Sequence, residues 1–147
     1  MEPPRTEPQP VPTPDPSSSE PRPTGLLLCR DLIFTTKVRG TAEALGYRIL
    51  VASDESLVTS LIERWHPRVV FVDLTAGELA SPGALIAYQK LAGPDVWFVA
   101  FGPHVEADAL DAAKAAGCQV VMPRSKFSAE LPELMRRYFN QPAIADG

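Results

Sequence analysis

The segment Arg68-Val69-Val70-Phe71-Val72-Asp73-Leu74 is the most informative part of the chain. Four apolar residues run without a polar break and stop at one carboxylate, with His66-Pro67 before the segment and Thr75-Ala76-Gly77 after it. A short β-branched and aromatic run with these flanks predicts a strand buried on both faces. Such strands belong to parallel sheets covered by helices. Asp73 would then end the strand, at the edge where open α/β sheets bind their ligands.

Length and composition restrict the class of protein. The chain has 147 residues, of which 45% are hydrophobic, enough for one ordinary domain with its own core. The net charge is −4 and no basic block is present, which argues against a nucleic-acid partner. Cys29 and Cys118 are far apart with no CxxC motif, so we expect two free thiols in a reducing compartment.

No targeting or membrane segment is expected. The first residues are rich in proline and acids, which is not typical of a signal peptide, and no apolar run approaches membrane-spanning length. We therefore expect a cytoplasmic protein that does not contact the membrane.

The chain divides into three parts by composition. Residues 1–24 hold nine of the sixteen prolines and almost nothing to bury, which predicts a disordered tail. A flexible spacer is the simpler interpretation of this tail, and a ligand for a proline-binding module is the alternative. Residues 25–140 form the predicted domain, and residues 141–147 are expected to fray.

Short apolar strands and helical patterns alternate five times from Gly25 onward. The predicted strands are Leu26–Cys29, Arg48–Ala52, the segment that ends at Asp73, Val96–Phe101 and Gln119–Met122. The predicted helix starts are Asp31, Ser53 or Asp54, Ser81-Pro82, Ala107 and Ser128. Right-handed crossovers of this length give a doubly wound parallel sheet.

Helical spacing predicts which side chains face the sheet. In the first helix these are Phe34, Val38, Ala42 and Leu45, with Gly46 ending the helix. In the second helix they are Leu57, Leu61, Ile62 and Trp65.

The loops exclude several chemistries. The turn Cys29-Arg30-Asp31 has no glycine, so neither a dinucleotide-binding loop nor a Walker loop is present. No GxSxG motif occurs, and His66 and His104 have no nucleophile in a motif beside them. We expect both histidines to be solvated loop residues.

Three segments, Ala42–Ala52, Val69–Leu74 and Ala112–Cys118, together with the order of the elements, resemble the receiver domain of bacterial response regulators. The resemblance covers residues 25–139. It implies a (βα)5 flavodoxin-like fold with a parallel five-stranded sheet in the order 2-1-3-4-5. Receivers accept a phosphoryl group from a histidine kinase, with Mg²⁺, on an aspartate that ends the third strand. Asp73 matches this acceptor.

The acidic pair of receivers does not match well. Receivers carry two adjacent acids after the first strand, because Mg²⁺ prefers carboxylate oxygens. Counting back from Gly46-Tyr47 places Cys29 and Arg30 at these positions. Asp31 comes one residue too late, and a shift of one residue turns a strand side chain to the other face. We therefore expect no metal site, and Asp31 and Asp73 are only weak candidates for metal ligands.

Two further positions of the receiver site also differ. The hydroxyl residue after the fourth strand corresponds to Gly102, and the lysine after the fifth strand corresponds to Pro123, with Arg124 next to it. Phosphoryl transfer depends on positioning and charge neutralisation by such groups. The resemblance therefore points to a degenerate receiver, or pseudo-receiver.

Two arrangements are open for Arg30. Its guanidinium can point into the pocket and pair with Asp73 where Mg²⁺ would bind, with Arg124 adding a second charge. Alternatively, Arg30 extends to solvent and Asp73 only caps the loop that follows it. The first arrangement would make the site a permanent structural ion pair.

We expect a non-catalytic signalling module that binds another signalling protein, such as a histidine kinase or an output protein, in a phosphorelay-type pathway. By the resemblance, its contact surface is the fourth helix, the fifth strand and the fifth helix, including Arg124, Lys126 and Tyr138. No cofactor is expected. The alternative is a receiver phosphorylated on Asp73 with Mg²⁺ and with Asp31 as its acidic helper. A third possibility is a flavodoxin-like enzyme or ligand binder, which is disfavoured because the sequence contains no cofactor-binding loop.

Overall fold

Strands and helices alternate along the chain, as the sequence predicts. The structure is a computed structural model that describes residues 22–143. The strands are β1 (Thr24–Leu28), β2 (Arg48–Ala52), β3 (Val69–Asp73), β4 (Trp97–Gly102) and β5 (Val120–Pro123). The helices are α1 (Leu32–Ala44), α2 (Glu55–Trp65), α3 (Pro82–Ala92), α4 (Ala107–Ala115), α5 (Arg124–Ala129) and α6 (Leu131–Asn140), and a 3-10 turn spans Gly77–Ala80.

The five strands form one parallel sheet in the order β2-β1-β3-β4-β5. This is the predicted (βα)5 flavodoxin-like fold with the predicted strand order. In this register Leu28 pairs with Val72, and Asp73 pairs with Phe101. Gly102 pairs with Pro123. The carboxyl ends of the four strands β1, β3, β4 and β5 therefore meet at one edge of the sheet.

Helices cover both faces of the sheet, so the side chains of each strand alternate between two cores. The core under α1, α5 and α6 includes Leu27, Phe34, Phe71, Phe101, Phe127 and Met135. The core under α2, α3 and α4 includes Leu26, Val58, Ile62, Val70, Val72 and Leu85. Every residue of β3 is buried, as predicted for the central strand.

The inward face of α2 differs from the prediction. Val58 and Ile62 are buried, whereas the side chains of Leu57 and Trp65 are each 39% exposed. The apolar residues of α2 form a stripe that is wider than the contact of the helix with the sheet. The residues at the two borders of this stripe therefore remain exposed to solvent. At one margin the Arg48 guanidinium lies 5.0 Å from the centre of the Trp65 ring.

The chain after β5 forms two helices, whereas the sequence predicted one helix that begins at Ser128. Helix α5 begins at Arg124, directly after β5, and ends at Ala129. Helix α6 follows with Pro132 in its first turn, where the missing N–H of proline costs no hydrogen bond.

The two predicted terminal segments lie largely outside the described residues. Of the tail, residues 1–24, only the last three are described, and Thr24 already belongs to β1. Of residues 141–147, the structure describes Gln141–Ala143. Within residues 22–143 no helix has the length and apolar character needed to cross a membrane.

Candidate functional site

Asp73 is the last residue of β3 and its side chain is buried, with 1% of its surface exposed. One of its carboxylate oxygens, Oδ1, accepts hydrogen bonds from the backbone N–H of Thr75 at 2.9 Å and from the Thr75 hydroxyl at 2.7 Å. This oxygen therefore holds the start of the loop that follows the strand.

The second oxygen of Asp73, Oδ2, faces Cys29 and Arg124. The Cys29 thiol donates to Oδ2 with an Sγ–Oδ2 distance of 3.4 Å. Burial raises the pKa of this thiol, so at neutral pH it keeps the proton that it donates. The Arg124 guanidinium contacts the same oxygen, with Nη1 and Oδ2 3.6 Å apart.

Arg124 also contacts Asp31, the residue that caps α1. Its Nη2 is 3.0 Å from Oδ2 of Asp31, while Oδ1 of Asp31 accepts from the backbone N–H of Phe34 at 3.0 Å. The hydrogen bond from Phe34 and the nearby Arg124 lower the pKa of Asp31. The guanidinium carbon lies 4.2 Å from the centre of the Phe34 ring, which adds a cation–π contact.

We call Cys29, Asp31, Asp73, Thr75 and Arg124 the Asp73 site. It contains two carboxylates bridged by one guanidinium, which is planar, permanently charged and supplies several donors in fixed geometry. Arg124 itself remains partly accessible, with 28% of its side chain exposed. The Asp73 site is thus an internal ion-pair network at the carboxyl edge of the sheet.

The Asp73 site does not fit Mg²⁺, the ion that the resemblance implies. Magnesium requires octahedral oxygen ligands, and the nearest residue after β1 presents the sulfur of Cys29 instead. The carboxylates of Asp31 and Asp73 are already hydrogen-bonded and share the positive charge of Arg124. No group of three or more His, Cys, Asp or Glu side chains able to hold a metal occurs within residues 22–143.

Arg30 does not pair with Asp73 and is exposed, as in the second of the two predicted arrangements. It is exposed, its Nε donates to the carbonyl of Ser53 at 3.2 Å, and its Nη1 lies 3.4 Å from where a Cβ on Gly77 would be. Its side chain therefore lies across the loops that follow β2 and β3. The direct partner of Asp73 is Arg124, which had been expected to supply only a second charge.

Gly102 and Pro123 stand where receivers carry a hydroxyl residue and a lysine, and both are close to the Asp73 site. Gly102 ends β4, and a Cβ at this position would lie 3.3 Å from the Cβ of Leu74, a tight contact. Pro123 ends β5 and precedes Arg124 directly. The hydroxyl that contacts Asp73 comes instead from Thr75, which was not among the predicted site residues. An Asp followed two residues later by Thr is a recognised turn-forming pattern that could have indicated it.

The predicted partner surface is only partly exposed. Lys126 is exposed and lies 3.8 Å from the Glu130 carboxylate. Tyr138 is 5% exposed, and its ring packs edge-on against Trp97 with a centroid distance of 4.7 Å. The position of Tyr138 on α6 directs its ring to the sheet. Tyr138 is therefore a core residue and not part of a contact surface.

Large apolar side chains are exposed beside the Asp73 site. Leu32 and Ile33, in the first turn of α1, are 77% and 84% exposed, and Val105 in the loop after β4 is 76% exposed. His104 is exposed in the same loop, and His66 is exposed after α2, as expected for both. The exposed apolar residues Leu32, Ile33 and Val105 did not stand out in the sequence, because their exposure depends on the rotation of α1 and on the loop path.

No protein-family model and no curated protein sequence matches this chain. Solved structures do match. A response regulator from Thermotoga maritima is 20% identical with a TM-score of 0.69, and the match covers 82% of this chain and 99% of that one. The fold is that of a response-regulator receiver domain.

Two further matches agree with this fold. The receiver domain of the sensor histidine kinase PA1611 from Pseudomonas aeruginosa PAO1, described with magnesium in its active-site cleft, is 19% identical with a TM-score of 0.68. That match covers 82% of this chain and 100% of the other. A CheY-like receiver domain protein from Methanospirillum hungatei JF-1 is 14% identical with a TM-score of 0.70, covering 82% and 95% of the two chains. At these identities the likeness establishes the fold and not the chemistry.

Proposed function

We propose that this receiver-fold domain is a non-catalytic signalling module that binds another protein in a phosphorelay-type pathway, without phosphorylation of Asp73. The observation that carries the proposal is the bridge from Arg124 to both Asp31 and Asp73. A fixed positive charge beside the acceptor-equivalent carboxylate replaces the metal ion on which phosphoryl transfer relies.

Both oxygens of Asp73 are already engaged, which argues against nucleophilic use of this carboxylate. Oδ1 accepts two hydrogen bonds from Thr75, and Oδ2 contacts the Cys29 thiol and Arg124. To attack a phosphoryl donor, an oxygen would have to give up these contacts. The group beside Oδ2 that could neutralise an approaching phosphate is the guanidinium of Arg124, which is already shared between Asp31 and Asp73.

The exposed apolar residues beside the Asp73 site support a protein partner. Leu32 and Ile33 are neighbours in the first turn of α1 and expose most of their surface, and adjacent exposed apolar side chains of this kind are typical of contact surfaces. Lys126 on α5 adds an exposed positive charge from the surface that the resemblance implies. A histidine kinase or an output protein is the class of partner we propose.

The second candidate function is a phosphorylatable receiver, and one observation favours it. Arg124 is the first residue of α5 and is 28% exposed, so its side chain has room to rotate away from the carboxylates of Asp31 and Asp73. This candidate therefore requires that Arg124 leave both carboxylates, because the observed arrangement of the Asp73 site does not fit Mg²⁺.

Intact-mass spectrometry after incubation with acetyl phosphate and Mg²⁺ distinguishes the two functions. We expect the wild-type protein and the control variant Lys126→Gln to keep their unmodified mass. A gain of one phosphoryl group that requires Mg²⁺ and disappears in Asp73→Asn would contradict the proposal. It would establish the second candidate instead.

A further inference from the structure

A cavity of about 500 Å³ lies at the end of the sheet opposite to Asp73. It is an open cleft lined by the C-terminal ends of α2 and α3, by the residues that lead into β3 and β4 and by Gln141 and Pro142 after α6, and its apolar residues include Ile62, Leu91 and Val96. Its volume falls in the range of small-molecule sites, roughly 300–1,000 Å³. No contact of the Asp73 site involves these residues.

The walls of this cavity carry an excess of negative charge. Glu63 on α2 and Asp95 before β4 both line it and both are exposed. The positive residue of the wall, Arg68, donates through Nη1 to the carbonyl of Phe139 at 2.8 Å. Its charge thus lies against the negative C-terminal end of α6 and is partly offset there. Two carboxylates over an apolar floor complement an apolar ligand that carries a positive charge.

A strained residue forms part of the same wall. His66 has φ 47° and ψ 63°, and no other non-glycine residue between 22 and 143 has a positive φ. The residue before a proline favours an extended backbone, so Pro67 makes this left-handed conformation more unfavourable. Glycine or asparagine would end α2 with less strain. Strained residues of this kind concentrate at ligand sites, and His66 lines the cavity.

We propose that this cavity binds an organic ammonium compound. The apolar body of the ligand contacts Ile62, Leu91 and Val96, and its ammonium group lies against Glu63 and Asp95. The His66 imidazole lines the same wall and is a further polar group beside the ligand. The proposal is independent of the proposed function, because the cavity and the Asp73 site are at opposite ends of β3.

A nitrogen–proton NMR titration of the full chain with 4-phenylbutylamine tests the proposal. The matched probe is 4-phenylbutyric acid, which has the same apolar body with the opposite charge. We expect the amine to cause saturable shifts in the amides of residues 62–68 and 91–96. Its affinity should exceed that of the acid by about tenfold, because the acid faces two carboxylates.

Variants separate charge recognition from general apolar binding. The double variant Glu63→Gln, Asp95→Asn should weaken amine binding by about tenfold, whereas Asp111→Asn, an exposed acid on α4, should leave it unchanged. His66→Asn should raise the melting temperature and weaken amine binding. The proposal is overturned if the amine gives no saturable shifts, if the acid binds equally well, or if the double variant binds the amine as the wild type does.

Discussion

At the scale of single residues, Arg124 is the side chain that determines the chemistry of the Asp73 site. A lysine places one compact charge, whereas the arginine fork presents donors to two carboxylates at once. Here the guanidinium contacts Asp31 at 3.0 Å and Asp73 at 3.6 Å while it packs on the Phe34 ring. These contacts explain how a buried carboxylate is accommodated without a metal ion.

Removal of this charge should destabilise the fold. The Arg124→Gln variant leaves the buried Asp73 carboxylate without its cation, and we expect a loss of about 1–3 kcal/mol in the free energy of unfolding. The value is below that for a fully buried pair because Arg124 is 28% exposed. Urea denaturation followed by circular dichroism measures the loss.

The control for this experiment is Lys126→Gln, which removes a surface ion pair with Glu130 and should cost about 0–1 kcal/mol. Combining Arg124→Gln with Asp73→Asn gives a double-mutant cycle, in which the pair should show a favourable coupling energy. If Arg124→Gln is as stable as Lys126→Gln, the ion pair between Arg124 and Asp73 does not stabilise the fold.

At the scale of elements, α1 and α2 begin with the same cap but in different surroundings. Asp31 accepts from the N–H of Phe34 at 3.0 Å, and Asp54 accepts from the N–H of Leu57 at 2.9 Å. Both carboxyl groups have lowered pKa values, chiefly because of these hydrogen bonds. Only Asp31 combines its cap with an ion pair to Arg124.

Substitution by asparagine separates the cap from the charge, because asparagine caps helices as well as aspartate does. We expect Asp54→Asn to change the melting temperature little and Asp31→Asn to lower it. The lowered pKa of Asp31 stabilises the fold above the unfolded value of 3.8, and this stabilisation is lost as the pH falls through the folded value. The difference between wild type and Asp31→Asn should therefore vanish in acid, as thermal melts from neutral pH to about pH 2 would show. A difference that persists in acid would contradict this explanation.

Much of the fold could be predicted from the sequence. The continuous apolar run of β3, the cap at Asp31 and the Ser81-Pro82 helix start are local signals, and the structure confirms them. The inward face of α2 was predicted only in part: Ile62 is buried and Leu61 packs against the core, whereas Leu57 and Trp65 are exposed and Val58 was not predicted. The apolar residues of α2 extend beyond its contact with the sheet, so packing decides which of them are buried.

The Asp73 site was harder to predict than the fold. The sequence indicated the position of Asp73, but the choice between Arg30 and Arg124 depends on side-chain directions at the ends of two strands. Helix α5 begins at Arg124 and not at Ser128, and this earlier start places the guanidinium over α1. The sequence pattern contains no signal for that start, because Pro123 and Arg124 are equally compatible with a loop.

At the scale of the whole molecule, two buried thiols and a buried phenol make the fold sensitive to alkaline pH. Burial raises the pKa of Cys29, that of Cys118 to about 11 and that of Tyr88 to about 12. The folded state holds these protons at pH values at which the unfolded chain releases them. Stability must therefore fall as the pH rises above the ordinary thiol value of 9.0.

The Cys118→Ala variant tests this sensitivity. Between about pH 8 and about pH 11, wild-type stability should fall by an extra ~2 kcal/mol relative to the variant, from the shifted pKa of this one thiol. The variant is expected to be the less stable protein near pH 8, because it leaves a small cavity. Urea denaturation at each pH measures both effects, and parallel pH profiles would contradict the assignment.

The central claim concerns the carboxyl ends of the strands, where we propose that Arg124 takes the place of the Mg²⁺ ion of receivers. A nitrogen–proton NMR titration with Mg²⁺, followed by Mg²⁺ with beryllofluoride as a phosphoryl mimic, tests it most directly. We predict that the amides of Asp73, Thr75, α4 and β5 do not shift at millimolar Mg²⁺ or after the mimic is added. Shifts that begin around Asp73 and spread to α4 and β5 would show a working phosphorylation switch and would contradict the account.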